Sequence, residues 1–193
     1  MEHYTALSPY LKRRFGCKVY KLSLSAGCTC PNRDGTLGAR GCIFCSGSGE
    51  FAATGSASIP EQLEQAKYIL GKKAQGAKFI AYFQDFTNTY GAVSRLEPLF
   101  LAAIEEGDVV ALSIATRPDC LPEDILRMLS RLRARKPVFV ELGLQTIHDN
   151  TAQYIRRGYP LSVFDDAVQK LHALDIEVIA HQILGLPGET AEM

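Results

Sequence analysis

The feature that most constrains this chain is an alternation. Five short apolar runs, at 18–25, 78–84, 109–115, 138–144 and 176–184, are separated by longer segments with a different period. The runs are rich in strand formers, and most read as nearly continuous apolar stretches, as expected of strands covered on both faces. The intervening segments at 58–75, 94–106, 122–135, 149–157 and 162–174 have the period of amphipathic helices. Ser58 with Glu61, and Ser94 with Glu97, have capping-box spacing. Leu63, Ala66, Leu70 and Ala74 form one apolar face. Ile125, Met128, Leu129 and Leu132 form another, as do Phe164, Ala167, Val168 and Leu171. Strands alternating with helices imply a parallel sheet with helical crossovers, an α/β fold that is either open and doubly wound or part of a barrel.

In either architecture function gathers at the C-terminal ends of the strands. Polar residues collect there. Gln84, Thr87 and Asn88 follow the second run, Thr116-Arg-Pro-Asp119 the third, and Gln145-Thr146 the fourth. Gly185-Leu-Pro-Gly-Glu189 follows the fifth. After the first run comes a Gly-rich loop holding four of the six cysteines, Cys28, Cys30, Cys42 and Cys45.

Dense thiols serve either a disulfide framework or a soft-metal site. The N-terminus is polar, without the character of a signal peptide, and no apolar run approaches membrane-spanning length. The expected compartment is therefore the reducing cytoplasm, which disfavours disulfides and predicts a metal site. Cys30, Cys42 and Cys45 have spacing C-x11-C-x2-C, with Cys28 adding a C-x-C in front. Only Cys42 and Cys45 make the C-x2-C pair that structural zinc usually employs twice. Three thiolates at a catalytic rim suit a four-iron cluster with one open iron, though spacing alone leaves zinc open. Cys17 and Cys120 read as reduced, partly buried thiols.

At 193 residues the chain is long enough for one sizeable core. Lys+Arg and Asp+Glu are both 21, so no overall field points to nucleic acid or membrane. Locally, Lys12, Arg13, Arg14, Lys18, Lys21, Arg33 and Arg40 outnumber Glu2, Asp34 and Glu50, which suggests a basic patch or simply a solvated face.

A set of segments now resembles a known family. They are Gly-Cys-Thr-Cys-Pro-Asn-Arg-Asp-Gly-Thr, Gly-Cys-Ile-Phe-Cys, Ala-Thr-Arg-Pro-Asp-Cys-Leu, Glu-Leu-Gly-Leu-Gln-Thr and His-Gln-Ile-Leu-Gly-Leu-Pro-Gly-Glu. In this order they resemble the radical S-adenosylmethionine superfamily, and within it a bacterial family related to the Elongator catalytic subunit. The resemblance implies a partial TIM-type (β/α)6 barrel, here truncated after about five strands, in a single domain over 1–193 that lacks a C-terminal portion. It implies a [4Fe–4S] cluster on Cys30, Cys42 and Cys45, with S-adenosylmethionine chelating the fourth iron. Reductive cleavage would then give a 5′-deoxyadenosyl radical that abstracts a substrate hydrogen, with the protein positioning the cofactor. The implied partners are a reductant protein such as flavodoxin or ferredoxin and, through the Elongator relationship, tRNA with its wobble uridine; no membrane is implied.

Other positions carry over one at a time. Phe44 stands where relatives place an aromatic against adenine. Gln145 matches a glutamine that contacts the ribose, and Arg157 an arginine near the cofactor carboxylate. His181 falls where some relatives place an acidic ribose ligand, and Gly185 opens a turn resembling the adenine-binding segment. Gln84, Thr87 and Asn88 replace the usual Gly-Gly-Glu run and are candidates for the cofactor's amino group. Ala115 stands where the Elongator-like pattern has glutamate. The rival function is a non-catalytic zinc or iron–sulfur module interacting with nucleic acid.

Overall fold

A computed structural model describes residues 3–45, 57–190 and 192. Its strands are β1 (Val19–Leu24), β2 (Lys78–Phe83), β3 (Val109–Thr116), β4 (Val138–Gln145) and β5 (Glu177–Gln182). All neighbouring pairs are parallel, and the spatial order β1-β2-β3-β4-β5 follows the chain. This is one open sheet of five strands, consistent with part of a TIM-like barrel.

The helices are α1 (Leu7–Phe15), α2 (Ile59–Leu70), α3 (Val93–Glu105), α4 (Glu123–Arg133), α5 (Asp149–Tyr154) and α6 (Leu161–Ala173). The larger core lies between the sheet and α2, α3, α4 and α6. Leu22, Phe83, Leu112, Ile114, Val140 and Leu142 meet Leu63, Leu96, Phe100, Leu129 and Leu171 there. Phe83 and Phe100 pack edge to face at 4.8 Å between ring centroids. Each such buried side chain contributes roughly 1.5–3 kcal/mol of transfer free energy. The anticipated inward face of α4 is buried in full. The box at Ser58 also forms, with Glu61 N–H donating to the serine hydroxyl and the Glu61 carboxylate accepting from Ser58 N–H.

Three expectations need correction. The helix at the N-terminus, α1, was not anticipated. It lies on the other face of the sheet, where Leu11 packs with Val19, Ile80, Ala111 and Phe139 at the N-terminal end of the strands. Ser94 does not cap α3. That helix starts at Val93 after Ala92, whose carbonyl accepts from Arg95 and Leu96, and Glu97 instead pairs with Arg131 of α4. The basic cluster is not one surface. Lys21 points into the sheet's inner face against Glu141, Arg14 pairs with Glu177 near α1, and Arg33 donates to the Cys45 carbonyl. Glu2 and Glu50 lie outside the described residues. Arg131, Arg133 and Arg135 form surface ion pairs with Glu97, Asp175 and Glu105.

Candidate active site

The inner face of the sheet opens at the C-terminal strand ends into a chamber of about 240 Å³. Cys30, Cys42, Phe44 and Cys45 line it from the loop after β1. Gln84 and Thr87 follow β2, Thr116 and Arg117 end β3, and Gly143 and Gln145 end β4. Arg157, Tyr159 and His181 complete the wall. Nine residues expected at the site, drawn from four of the five strand ends and from the turn after α5, thus meet in one cavity.

Cys28 does not share it. Its thiol faces Arg95, whose Nη2 lies 3.1 Å from the sulfur, and it packs against the outer core. Burial, opposed by Arg95, pushes that thiol up. Among the described residues no disulfide forms, and all six cysteines are free. Nor do three His, Cys, Asp or Glu side chains gather about one point closely enough to hold a single ion. A single zinc needs its ligands about one centre, whereas a cubane spreads its irons and keeps its thiolates apart.

The cysteine loop is held from behind. Asn32 is buried, and its Nδ2 donates to the Arg156 carbonyl at 2.8 Å and reaches Cys42 Sγ at 3.3 Å. Ile43 N–H donates to the Ile155 carbonyl. Gly158 makes this approach possible. It adopts φ +84°, and a β-carbon there would lie 3.0 Å from Asn32 Oδ1 and 3.3 Å from Arg117 Nη2. Arg117 forms a two-point pair with Asp119 at 2.9 and 2.7 Å and donates to the Arg157 carbonyl. The Tyr159 ring sits between two guanidinium groups, 4.9 Å from Arg117 and 5.0 Å from Arg157.

Arg157 is 1% exposed. Its Nε donates to the Tyr159 carbonyl and its Nη1 to those of Leu144 and Thr146. Nη2 is buried with no partner among the described residues. A buried cationic donor left unpaired is costly, so a carboxylate entering this chamber would satisfy it. Gln145 adopts φ +63° at the end of β4, where the β4–β5 register shifts. A side chain on Gly143 would meet its Nε2 at 2.6 Å, so glycine there is what lets Gln145 fold over the strand end.

Below this rim lies a polar network that the linear sequence did not announce. Glu141 is 2% exposed on the inner face of β4. Its carboxylate accepts from Lys21 Nζ at 2.5 Å and from the Ser113 hydroxyl, and lies 2.7 Å from His181 Nε2. Burial alone would raise its pKa, but the bonds from His181, Lys21 and Ser113 outweigh it and pull the group down to about 2. Burial also drives the Tyr82 phenol upward, with the Glu141 charge adding to it. Glu141 is the register partner of Ala115, so a carboxylate lies beside that position on the adjacent strand.

Two further candidates, Asn88 and Gly185, sit apart from the chamber wall. Asn88 is fully buried and ties the end of β2 to β3, its Nδ2 donating to the Phe83 and Ala115 carbonyls. Gly185, at φ +77°, is exposed beyond β5. Its turn is anchored to the rim by Thr146, which donates to Glu189, and by Ile183 N–H, which donates to the Gln145 carbonyl. Phe44 is 43% exposed at the chamber mouth.

The radical SAM superfamily model matches residues 32–193, running from Asn32 behind the cysteine loop through the ends of β2, β3, β4 and β5. The chain belongs to this superfamily. Its members use a [4Fe–4S] cluster and S-adenosylmethionine. The chain is 43% identical to the Bacillus subtilis protein YtqA, over all of this chain and 60% of that protein. It therefore spans about three-fifths of that relative's length. It is 33% identical to the tRNA uridine(34) acetyltransferase of Methanocaldococcus jannaschii, over 60% of this chain and 21% of that one. In fold it resembles the archaeal Methanocaldococcus infernus Elp3, with a TM-score of 0.61, 21% identity, and coverage of 91% of this chain and 40% of that one.

Proposed function

We propose that this chain is the catalytic domain of a radical S-adenosylmethionine enzyme that modifies a tRNA uridine. The observation that carries the reading is the convergence of Cys30, Cys42 and Cys45 with the unpartnered Nη2 of buried Arg157 in one chamber. The three thiolates would hold the cluster, and Asn32 and Gly158 keep their loop against the 156–158 turn. Arg157 would bind the cofactor's carboxylate, Gln145 and Phe44 its ribose and adenine, and Gln84 and Thr87 its amino group. Asn88 braces the strand ends beneath them. His181, held by Glu141, presents an imidazole beside the ribose position, and the Gly185 turn closes that side. When bound, the cluster and S-adenosylmethionine supply a 5′-deoxyadenosyl radical. The tRNA assignment draws on the similarity to the tRNA uridine(34) acetyltransferase. Six free thiols suit a reducing cytoplasm, and no described helix is long and apolar enough to cross a membrane.

Anaerobic reconstitution followed by reductive incubation with S-adenosylmethionine tests this. A brown protein with about four irons per chain that forms 5′-deoxyadenosine is expected. Adding unmodified tRNA should then give a new uridine derivative by mass spectrometry. A colourless protein that takes up one zinc and yields no 5′-deoxyadenosine would overturn the reading.

A further inference from the structure

Asn32 grips the segment that carries Cys42 at two points. Its backbone carbonyl accepts from Gly41 N–H at 2.8 Å. Its side chain reaches the sulfur itself, with Nδ2 at 3.3 Å from Cys42 Sγ. Asn32 is buried, and Gly158 leaves room for it, since a β-carbon there would crowd the amide. The amide's orientation is fixed chemically. The Arg156 carbonyl, 2.8 Å from Nδ2, can accept only from an N–H, so the nitrogen and not the oxygen faces the turn and the sulfur.

The amide nitrogen has two hydrogens. One goes to the Arg156 carbonyl. Two acceptors compete for the second, Cys42 Sγ at 3.3 Å and the Arg157 carbonyl at 3.4 Å. The Arg157 carbonyl already accepts from Arg117 Nη1 at 3.1 Å. A cysteine that binds iron is a thiolate, an acceptor carrying charge. Hydrogen bonds to ionised acceptors are the stronger ones, so the second hydrogen belongs to the sulfur of a cluster-bound Cys42. Among the described residues, no other group donates a hydrogen bond to the sulfur of Cys30, Cys42 or Cys45.

We propose that Asn32 raises the reduction potential of the cluster by donating a hydrogen bond to the Cys42 thiolate. The proposal rests on the function proposed above. An added electron increases the negative charge on the thiolate sulfurs and makes them better acceptors. The bond is therefore stronger in the reduced state, which favours reduction; hydrogen bonds to sulfur are among the factors that set such potentials. Burial strengthens the bond further, because the local dielectric is low. Asn32 acts on the reaction through Cys42 and is a positioning residue. A packing role alone would be met by any side chain of its shape, whereas this geometry asks for an N–H donor.

The test uses the reconstituted holoprotein and its Asn32→Leu variant, which keeps much of the volume and removes both donors. Iron content should match wild type. At a fixed poise near the wild-type midpoint, the ratio of reduced to oxidised cluster, read by EPR, should fall roughly threefold to tenfold. Tenfold corresponds to about 59 mV for one electron. In reduced wild type carrying asparagine labelled with 15N at the side chain, pulsed EPR should show a coupled 15N nucleus, and Asn32→Leu should lack it. An unchanged ratio in an iron-replete Asn32→Leu would overturn the effect on potential. Absence of the 15N coupling in wild type would overturn the hydrogen bond, and this readout stands even if the variant fails to hold iron. A wild-type protein that assembles no four-iron cluster would overturn the enzymatic reading and this proposal together. A cluster with the expected coupling but no 5′-deoxyadenosine formation would overturn the enzymatic reading alone.

Discussion

At the scale of single residues, the chamber turns on two buried charges held in different ways. Arg157 was legible as a candidate through resemblance, but its geometry was not. Three of its bonds go to backbone carbonyls, and one nitrogen is left for a ligand. Alanine at this position would confound binding with folding, so lysine is the better probe. Arg157→Lys and Gln145→Ala should each keep full iron content and weaken S-adenosylmethionine binding. Losing one charge-assisted hydrogen bond costs about 1.5–3 kcal/mol, or roughly tenfold to a hundredfold in affinity. Equilibrium dialysis checks this, and unchanged affinity in both would remove them from the site. Glu141 draws its partners from β1, β3 and β5, which no local pattern brings together. Its folded pKa of about 2 lies below the ordinary 4.5. The associated stability is therefore fully present above about pH 4.5 and lost as pH falls toward 2. A shift of this size corresponds to about 3 kcal/mol. Glu141→Gln should be destabilised by a similar amount near neutral pH, with Lys21 left unpaired, and the gap should close in acid. Urea unfolding of the apoprotein across that range measures it; a pH-independent gap would mean the pair contributes nothing through its charge.

At the scale of elements, the cysteine loop shows what spacing can and cannot reveal. The C-x11-C-x2-C pattern pointed to three ligands, and the chamber wall contains those three while Cys28 faces Arg95. Cys30→Ala, Cys42→Ala and Cys45→Ala should each abolish cluster assembly, and Cys28→Ala should not, by iron content and visible absorbance. Retention of iron by Cys30→Ala with loss in Cys28→Ala would reverse the assignment. Asn32, Arg117 and Tyr159, which back the loop, were not singled out. Asn32 lies inside a recognised segment, but its use depends on the 156–158 turn, more than a hundred residues away in sequence. The glycine of that turn is diagnostic. Gly158→Ala puts a β-carbon at positive φ and against Asn32 Oδ1. It should destabilise the fold by about 1–3 kcal/mol and lower cluster retention. Helices read from apolar period were found within a few residues of their observed bounds. The missed α1 is short and carries Lys12, Arg13 and Arg14 on a largely exposed surface, with Leu11 its one buried side chain. Its apolar signal was too thin to stand out, and the cap at Ser94 failed because the chain turned into helix one residue earlier.

At the scale of the whole molecule, the alternation of strands and helices left a doubly wound sheet and part of a barrel both open, and the resemblance alone implied the sequential order that the sheet has. The shape that order leaves behind has a consequence. β4 is bonded on both sides, but among the described residues β5 is bonded only to β4. Most of β5 is exposed, and Leu184 just beyond it is 89% exposed. Parallel sheets are stable when both faces are covered and their edges are protected. β5 meets neither need along its outer edge, and Val178 and Ile179 are only partly covered there. Free backbone N–H and C=O groups flanked by apolar side chains favour pairing with another strand. We therefore predict that the 193-residue chain self-associates through β5 as its concentration rises, seen as a mass increase by light scattering after size exclusion. Ala180 is exposed in the middle of this strand. Ala180→Lys should shift the population toward monomer, because a charge on an edge strand opposes strand addition. A longer polypeptide that places a further strand on this edge should be monomeric without the substitution and should form 5′-deoxyadenosine faster than the 193-residue chain. Among the described residues, His181 is the β5 residue that lines the chamber on that side. A monomeric 193-residue protein with full activity would show that β5 needs no neighbour, and that the open sheet is the working form of the molecule.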